Sequence, residues 1–340
     1  MRDRWLRTVY KFGSLRAGNL RYMTLRPDGR VGYYRHPNEV RYRIEDGMLK
    51  FLNGAGVVTS SLACHLEANC FLPRPGSGTY LVPAIELDTR EDPTVGRERI
   101  IFNTVPKSGT YFLEAAAREL GLRTLKLHLF AQNCDDYREV AESEMHVQAT
   151  QHRIQVPSGA IAGIMANGEV AVGHIADQQQ LNEIKNAGVT LIHCVRDLRT
   201  VLVSQYRFKR RRVQPVSPAD EVWRSLPDPA GFLGYLAYAT TEVAIIKQTA
   251  TVIVQRKEPR ISFESLAGSD DMSSAREQLQ QLGGSFVDRF LAAVGKVRGM
   301  TTSTSSDSRS DFRQVWNDAA QDFFQSSGLA RLNRRLGYSD

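Results

Sequence analysis

The chain has 340 residues, of which 42% are hydrophobic and 24% charged, a balance typical of a globular protein and unlike that of a disordered chain. No run approaches the roughly 20 apolar residues of a membrane span, and the charged start does not resemble a signal peptide. Four scattered cysteines without a CxxC pair favour neither a disulfide framework nor a zinc site, so we expect a cytoplasmic protein without a bound metal.

The positive charge is concentrated at the beginning of the chain. Residues 1–50 contain 12 Lys and Arg against 5 Asp and Glu, which accounts for the whole net charge of +7. Such a segment suits an acidic partner and is equally compatible with a solvated charged face.

The first hundred residues predict short strands. Two extended runs flank a Pro-Asp-Gly turn at 27–29, and residues 40–44 alternate with period two. A passage rich in Pro and Gly follows at 72–79, and a charged stretch at 88–99 is typical of a linker. We therefore predict a small β-rich N-terminal module and linker over residues 1–97.

From about residue 98 the pattern changes to strands that alternate with helices. Apolar runs at 99–105, 170–172 and 189–195 predict strands, and helical spacing follows the first and the third. Apolar strands followed by helices are typical of a parallel sheet covered on both faces. Residues 98–340 are therefore predicted to form an α/β domain with a P-loop-like parallel sheet flanked by helices.

The most informative segment is the run Val-Pro-Lys-Ser-Gly-Thr-Tyr-Phe at 105–112. A strand-to-helix turn of this kind aims backbone N–H groups and the positive end of a helix dipole at one point. Gly109 permits close approach of an anion, Lys107 adds a charge, and Ser108 and Thr110 add hydroxyl donors. The segment predicts a site for a phosphate-like group. It is not a GxxxxGK[ST] loop, because the lysine precedes the glycine, and a turn that merely caps a helix is the plainer alternative.

A second cluster follows the strand at 189–195. Arg196 stands at the carboxyl end of this strand, where ligands bind in open α/β sheets, and Ser204 lies about two turns into the next helix. The arginine and the hydroxyl together could hold a second phosphate, with a solvent-facing Arg196 as the alternative. Two anion sites at two strand ends predict a nucleotide that carries phosphates at two places.

These two segments together resemble the cosubstrate signatures of the sulfotransferases that use 3′-phosphoadenosine 5′-phosphosulfate (PAPS). The resemblance covers about residues 98–338. It implies that the loop from Lys107 to Tyr111 binds the 5′-phosphosulfate and that Arg196 and Ser204 bind the 3′-phosphate. It further implies transfer of a sulfuryl group to an acceptor hydroxyl, with 3′-phosphoadenosine 5′-phosphate (PAP) as the product and no metal.

The resemblance also implies a catalytic histidine. His174 follows the second predicted strand and precedes Arg196 by 22 residues, a spacing similar to that of the family's base. His128, in a Lys-x-His-Leu run, is the second candidate. Lys107 is implied to neutralise charge on the bridging oxygen, and Phe263 is implied to lie near the adenine.

Neither signature identifies the acceptor. A saccharide is one expectation, because tyrosines such as Tyr22 and Tyr33 in the N-terminal strands could stack on sugar rings. Two other classes remain open: a P-loop-type nucleotide kinase, which would need Mg²⁺, and a non-enzymatic protein that binds nucleic acid or a membrane surface through residues 1–50 and 207–212. For a sulfotransferase we expect no nucleic acid partner and no transmembrane segment.

Overall fold

The computed structural model describes residues 2–15, 18, 20–74, 78–88, 98–147, 150–268, 271–299 and 311–339. The strands are β1 Thr8–Ser14, β2 Arg21–Leu25, β3 Val31–Gly32, β4 Arg41–Glu45, β5 Met48–Leu52, β6 Val58–His65, β7 Cys70–Pro73, β8 Thr79–Glu86, β9 Ile100–Thr104, β10 Arg123–Leu129, β11 Cys134–Asp136, β12 Arg153–Ile154, β13 Glu169–Gly173, β14 Thr190–Val195 and β15 Arg260–Ser262. The α-helices are α1 Arg2–Leu6, α2 Thr110–Glu119, α3 Ser158–Ile164, α4 Gln178–Asn186, α5 Leu198–Arg212, α6 Pro218–Ser225, α7 Ala230–Tyr238, α8 Thr240–Val254, α9 Phe263–Ala267, α10 Ser273–Leu279, α11 Gly284–Val297, α12 Asp318–Ser326 and α13 Leu329–Leu336. Two short 3-10 helices span Gln280–Leu282 and Phe312–Gln314.

The first sheet, β1–β8, is an antiparallel meander that nearly closes on itself. Strands that follow one another in the chain pair with each other, and β8 returns to pair with β1. Between β3 and β4 the ring is continued by a backbone bridge between Arg30 and Arg41. A buried cluster that includes Tyr10, Phe51 and Phe71 forms the core of this sheet. A ring of this kind leaves few unpaired strand edges.

The second sheet contains five parallel strands and an antiparallel extension at one edge, in the order β12-β11-β10-β13-β9-β14-β15. β9 comes first in the chain among the parallel strands and lies between β13 and β14. Ile100 and Phe102 pack with α2 and α11, whereas Ile101 packs with α3 and α4, so helices cover both faces. The direction of strand order changes at β9, and ligands bind at the carboxyl ends of strands at such a point. The prediction of an α/β fold with a parallel sheet flanked by helices is therefore confirmed.

The two sheets share an apolar core and are joined by a buried ion pair. Val9 and Ile85 belong to the same buried cluster as residues of β9, α3 and α4. Arg7 donates to both carboxylate oxygens of Glu169, at 2.5 and 2.9 Å, and Arg123 contacts the same carboxylate. Glu169 begins β13 and is only 1% exposed. Because residues of β1 and β8 also belong to the core of the second sheet, the first sheet is not clearly the small module that the sequence predicts.

The strands predicted at 99–105, 170–172 and 189–195 are present as β9, β13 and β14. The predicted domain boundary at residue 97 lies outside the described residues, and the division at this point stays a prediction. None of the helices in the described ranges is both long and apolar enough to cross a membrane.

Candidate nucleotide and transfer site

The loop between β9 and α2 has the backbone of an anion site. The Ser108 amide donates to the Val105 carbonyl at 3.1 Å and closes a tight turn. Lys107 and Gly109 both have left-handed backbone, with φ of 63° and 85°, and Gly109 immediately precedes α2. Left-handed residues in such a turn bring successive N–H groups towards one point, and the helix N-terminus adds partial positive charge there. The loop lies at the carboxyl end of the central strand.

Gly109 is required by its surroundings as well as by its φ. A Cβ at this position would lie 2.4 Å from the ring of Phe263, which begins α9. The same ring makes an edge-on contact with Phe112, with ring centroids 5.8 Å apart, and the Arg196 guanidinium carbon lies 4.8 Å from its centroid. Phe263 therefore packs directly against the loop; its predicted place near an adenine stays a prediction.

Arg196 follows β14 and holds the loop in place. Its Nη1 donates to the Lys107 carbonyl at 3.2 Å, and its Nε lies 3.9 Å from Glu264 Oε1. Glu264 also accepts the Tyr338 hydroxyl at 2.6 Å, which brings the C-terminal residues to this site. The Nε of Arg196 is buried and has no hydrogen-bond partner among the described residues. A charged donor in this position is available to an anion.

Two groups of the loop itself fit an anionic ligand. Ser108 Oγ is buried without a hydrogen-bond partner in the part of the chain that the structure describes, which is uncommon in native proteins. The Lys107 ammonium lies 4.1 Å from the centroid of the Phe208 ring. Burial and the nearby charge of Arg196 lower the pKa of Lys107 to about 7. The negative charge of an anion bound at the loop would oppose both effects and favour the charged lysine.

His174 is held at the end of β13 by groups of β9. Its Nδ1 lies 2.8 Å from the Thr104 carbonyl and 3.1 Å from Thr104 Oγ1, which in turn lies 2.7 Å from Thr110 Oγ1. A carbonyl can only accept, so Nδ1 carries the proton and Nε2 keeps its lone pair. Burial is the main cause that lowers the pKa of His174 to about 4, so its ring is neutral at pH 7.

His128 is close to His174 because β10 and β13 are parallel neighbours. The two ring centroids are 4.5 Å apart. The Tyr111 hydroxyl lies 2.9 Å from His128 Nδ1 and so joins the helix after the loop to this ring. Burial and the neighbouring histidines lower the pKa of His128, whereas burial raises the pKa of Tyr111. Both candidate bases thus lie in one site.

The structure brings together Lys107, Thr110 and Tyr111 with Arg196 and His174, but it does not join Ser204 to them. Ser204 is half-buried in the second turn of α5. Among the described residues it has no hydrogen bond to Arg196 or to the loop, and its role stays a prediction.

A third histidine, which the sequence does not single out, lies in the same place. The His146 ring lies 5.1 Å from Tyr111 and 6.3 Å from His128, measured between centroids. It follows β11 in a stretch of turns at 141–147, where no periodic pattern marks the residue.

No protein-family model matches this sequence, and no curated protein matches it. Among solved structures, the chain is similar to mouse sulfotransferase SULT7A1 in complex with PAP, at 14% sequence identity and a TM-score of 0.39. The match covers 74% of this chain and 89% of that one. A likeness this weak does not by itself indicate an activity.

Proposed function

We propose that this protein transfers a sulfuryl group from PAPS to an acceptor hydroxyl. The observation that carries the proposal is a set of side chains joined by hydrogen bonds at the end of β9. Arg196 donates to the Lys107 carbonyl, and hydrogen bonds join Thr110 to Thr104 and Thr104 to His174. This set combines two basic side chains, loop amides for an anion and a neutral imidazole. In-line transfer of a charged group depends on such positioning and charge stabilisation.

The loop binds the 5′ part of the nucleotide. Lys107 supplies charge, Ser108 supplies its unpartnered hydroxyl, Gly109 and Thr110 supply amides at the start of α2, and Tyr111 supports the site through His128. PAPS brings the sulfuryl group.

Arg196 and Ser204 bind the 3′-phosphate. The buried Nε of Arg196, without a hydrogen-bond partner among the described residues, supports this role. Ser204 contributes its hydroxyl from α5, on the helix that directly follows Arg196 and Asp197.

His174 is the base. Its Nε2 takes the proton of the acceptor hydroxyl as the oxygen bonds to sulfur and the bond from sulfur to the 5′-phosphate oxygen breaks. Lys107 neutralises the charge that develops on that oxygen. A histidine with a pKa of about 4 is a weak base, and the negative charge bound beside it raises the pKa towards a useful range.

The acceptor is a hydroxyl compound. Two of the tyrosines expected to hold a sugar instead contact the second sheet's helices and loops. The Tyr22 hydroxyl donates to the Gln155 carbonyl at 2.6 Å, and Gln180 donates to the Tyr33 hydroxyl at 2.9 Å. They give no support to a saccharide site on the first sheet.

Calorimetric titration with PAP tests the cosubstrate. Wild type should bind, and Arg196→Ala should weaken binding about 30-fold or more, because loss of a buried charged contact costs about 2 kcal/mol or more. Arg276→Ala is the control, since that arginine forms an exposed pair with Asp288 and is not among the residues assigned to the site. Absence of PAP binding in the wild type would refute the proposal and favour the basic-surface alternative.

A second experiment separates the base from the nucleotide site. His174→Ala should abolish transfer while the PAP dissociation constant stays within a few-fold of wild type. Loss of both would exclude His174 as the base, and activity that survives in His174→Ala but not in His128→Ala would assign the role to His128.

A further inference from the structure

A chain of hydrogen-bonded side chains leads from β11 to the proposed transfer site. It runs from Asp135 through the Tyr137 hydroxyl to His146, and the roles proposed above use none of these residues. The His146 ring lies 4.9 Å from Tyr137 and 6.1 Å from Phe208, the ring that the Lys107 ammonium also contacts. His146 therefore faces the same group of side chains as the lysine of the loop.

The hydrogen bonds determine which nitrogen of His146 carries the proton. Arg153 donates to both oxygens of the Asp135 carboxylate, at 2.8 and 3.1 Å. The Tyr137 hydroxyl lies 3.3 Å from Asp135 Oδ2 and 3.0 Å from His146 Nδ1. A carboxylate only accepts and a hydroxyl has a single hydrogen, so Tyr137 donates to Asp135 and accepts from His146 Nδ1. The lone pair of the neutral ring is then on Nε2.

That Nε2 atom is buried and has no hydrogen-bond partner among the residues described. Leaving a buried acceptor unpaired is costly, so a donor that reaches this atom would be stabilising. Burial and the positive charge of Lys107 lower the pKa of His146 to about 4, so the ring is neutral at pH 7 and Nε2 keeps its lone pair.

A metal ion is not the partner that the geometry indicates. In the described part of the chain, no three His, Cys, Asp or Glu side chains are arranged to hold a metal ion. The His128 ring instead contacts both of the other histidines, with its centroid 6.3 Å from that of His146 and 4.5 Å from that of His174. A substrate bound against His174 is therefore close to the group of rings that includes His146.

We propose that His146 Nε2 accepts a hydrogen bond from a second donor group of the acceptor, so that the substrate class is a compound with a further hydroxyl or N–H beyond the reacting hydroxyl. This inference rests on the proposed function. Tyr137 acts as a positioning residue, because it fixes the tautomer of His146 without touching the substrate.

The tautomer is tested first, on the full chain without any ligand. Nitrogen-15 spectra of the histidine rings should show His146 protonated at Nδ1 and unprotonated at Nε2 near pH 7. Tyr137→Phe keeps the ring but removes the hydroxyl, and it should abolish the preference for this tautomer. A wild-type His146 protonated at Nε2 would overturn the inference, whether or not the protein binds PAP.

Acceptor recognition is tested in protein saturated with PAP. Phenol is compared with catechol, resorcinol and hydroquinone, which carry a second hydroxyl at three spacings, and the signal of His146 Nε2 is followed. At least one diol should shift this signal more than phenol does. In His146→Phe, which keeps an aromatic ring, that diol should bind about 2- to 10-fold more weakly, while PAP and phenol bind as in the wild type.

The outcomes distinguish the two proposals. Failure to bind PAP contradicts the proposed function. Binding of PAP with no diol shifting His146 Nε2 beyond phenol, or with His146→Phe binding the diols unchanged, overturns the role of His146 and leaves the proposed function standing.

Discussion

Replacing Gly109 by alanine should disrupt the loop through two separable effects. The backbone φ of 85° costs an alanine about 1–2 kcal/mol. The new methyl would also lie 2.4 Å from the Phe263 ring, and forcing apart a packed contact of this kind costs about 1–3 kcal/mol. We expect Gly109→Ala to lower the free energy of unfolding by about 2–5 kcal/mol, the sum of these two ranges. It should also weaken PAP binding, because the amides of the loop are displaced.

Gly56 offers a matched control for the backbone effect. Its φ is 80°, and nothing lies within 4 Å of where its Cβ would be. Gly56→Ala should therefore cost only the backbone part, about 1–2 kcal/mol, and should leave PAP binding unchanged.

A double-mutant cycle isolates the contact with the ring. Free energies of unfolding from urea denaturation are measured for wild type, Gly109→Ala, Phe263→Ala and the double variant. The double variant should be more stable than the sum of the single effects predicts, by about 1–3 kcal/mol, because the methyl no longer meets a ring. Strict additivity, or a Gly109→Ala cost no larger than that of Gly56→Ala, would refute the reasoning.

Three further predictions concern buried groups. Without PAP the pKa of Lys107 is about 7, and a bound anion favours the charged lysine. PAP affinity should therefore fall above pH 7 by up to about tenfold per pH unit. Calorimetric titrations of Lys107→Met should show no such dependence. Glu169→Gln should lower the free energy of unfolding by about 3 kcal/mol or more, since it leaves the buried Arg7 without its carboxylate. Asp288→Asn, in an exposed pair, should cost under about 1 kcal/mol. The Cys194 thiol is buried and burial raises its pKa, so a thiol reagent at pH 8 should modify it only on unfolding. Burial also raises the pKa of the Cys64 thiol, but this residue is only half-buried and should react slowly in the folded protein; equal rates would contradict this.

Three of the five parallel strands of the second sheet were predictable because their burial is nearly uniform. β9, β13 and the final five residues of β14 are buried throughout, so their sequences are mostly apolar, whereas β10 and β15 are less uniformly buried and were not predicted. Arg196 and His174 were then found as the residues that follow two of these strands. The loop at 105–110 was predictable as a strand-to-helix turn from its residues and its place after an apolar run.

The first sheet was only partly predictable. β8 contains Pro83, a residue that normally argues against a strand, but the pairing of β8 with β1 shifts register beside this proline. A bulge of this kind tolerates a residue without an N–H, so the proline does not interrupt the strand. The join between the sheets could not be predicted, because Arg7 and Glu169 are far apart in sequence and neither belongs to a motif.

His146 was missed for a similar reason. Its place depends on the contacts of Tyr111, Tyr137 and Phe208, which come from three different parts of the chain, and its own segment has no regular structure. A histidine in an irregular segment carries no pattern that distinguishes it from a surface residue. Only the folded arrangement shows that its ring faces the site.

The contact between His128 and His174 depends on how closely β10 and β13 approach each other. Gly173 ends β13, and a Cβ there would lie 2.2 Å from the Leu129 carbonyl oxygen at the end of β10. That atom is backbone and already accepts the His174 amide at 2.8 Å, so it cannot move away without breaking the pairing. Any larger residue at 173 would separate the ends of β10 and β13 and, with them, His128 and His174. The backbone of Gly173 is not in the left-handed region, so the requirement for glycine comes from the close packing of the two strands. The buried carboxylate of Glu169 holds the other end of the same short strand.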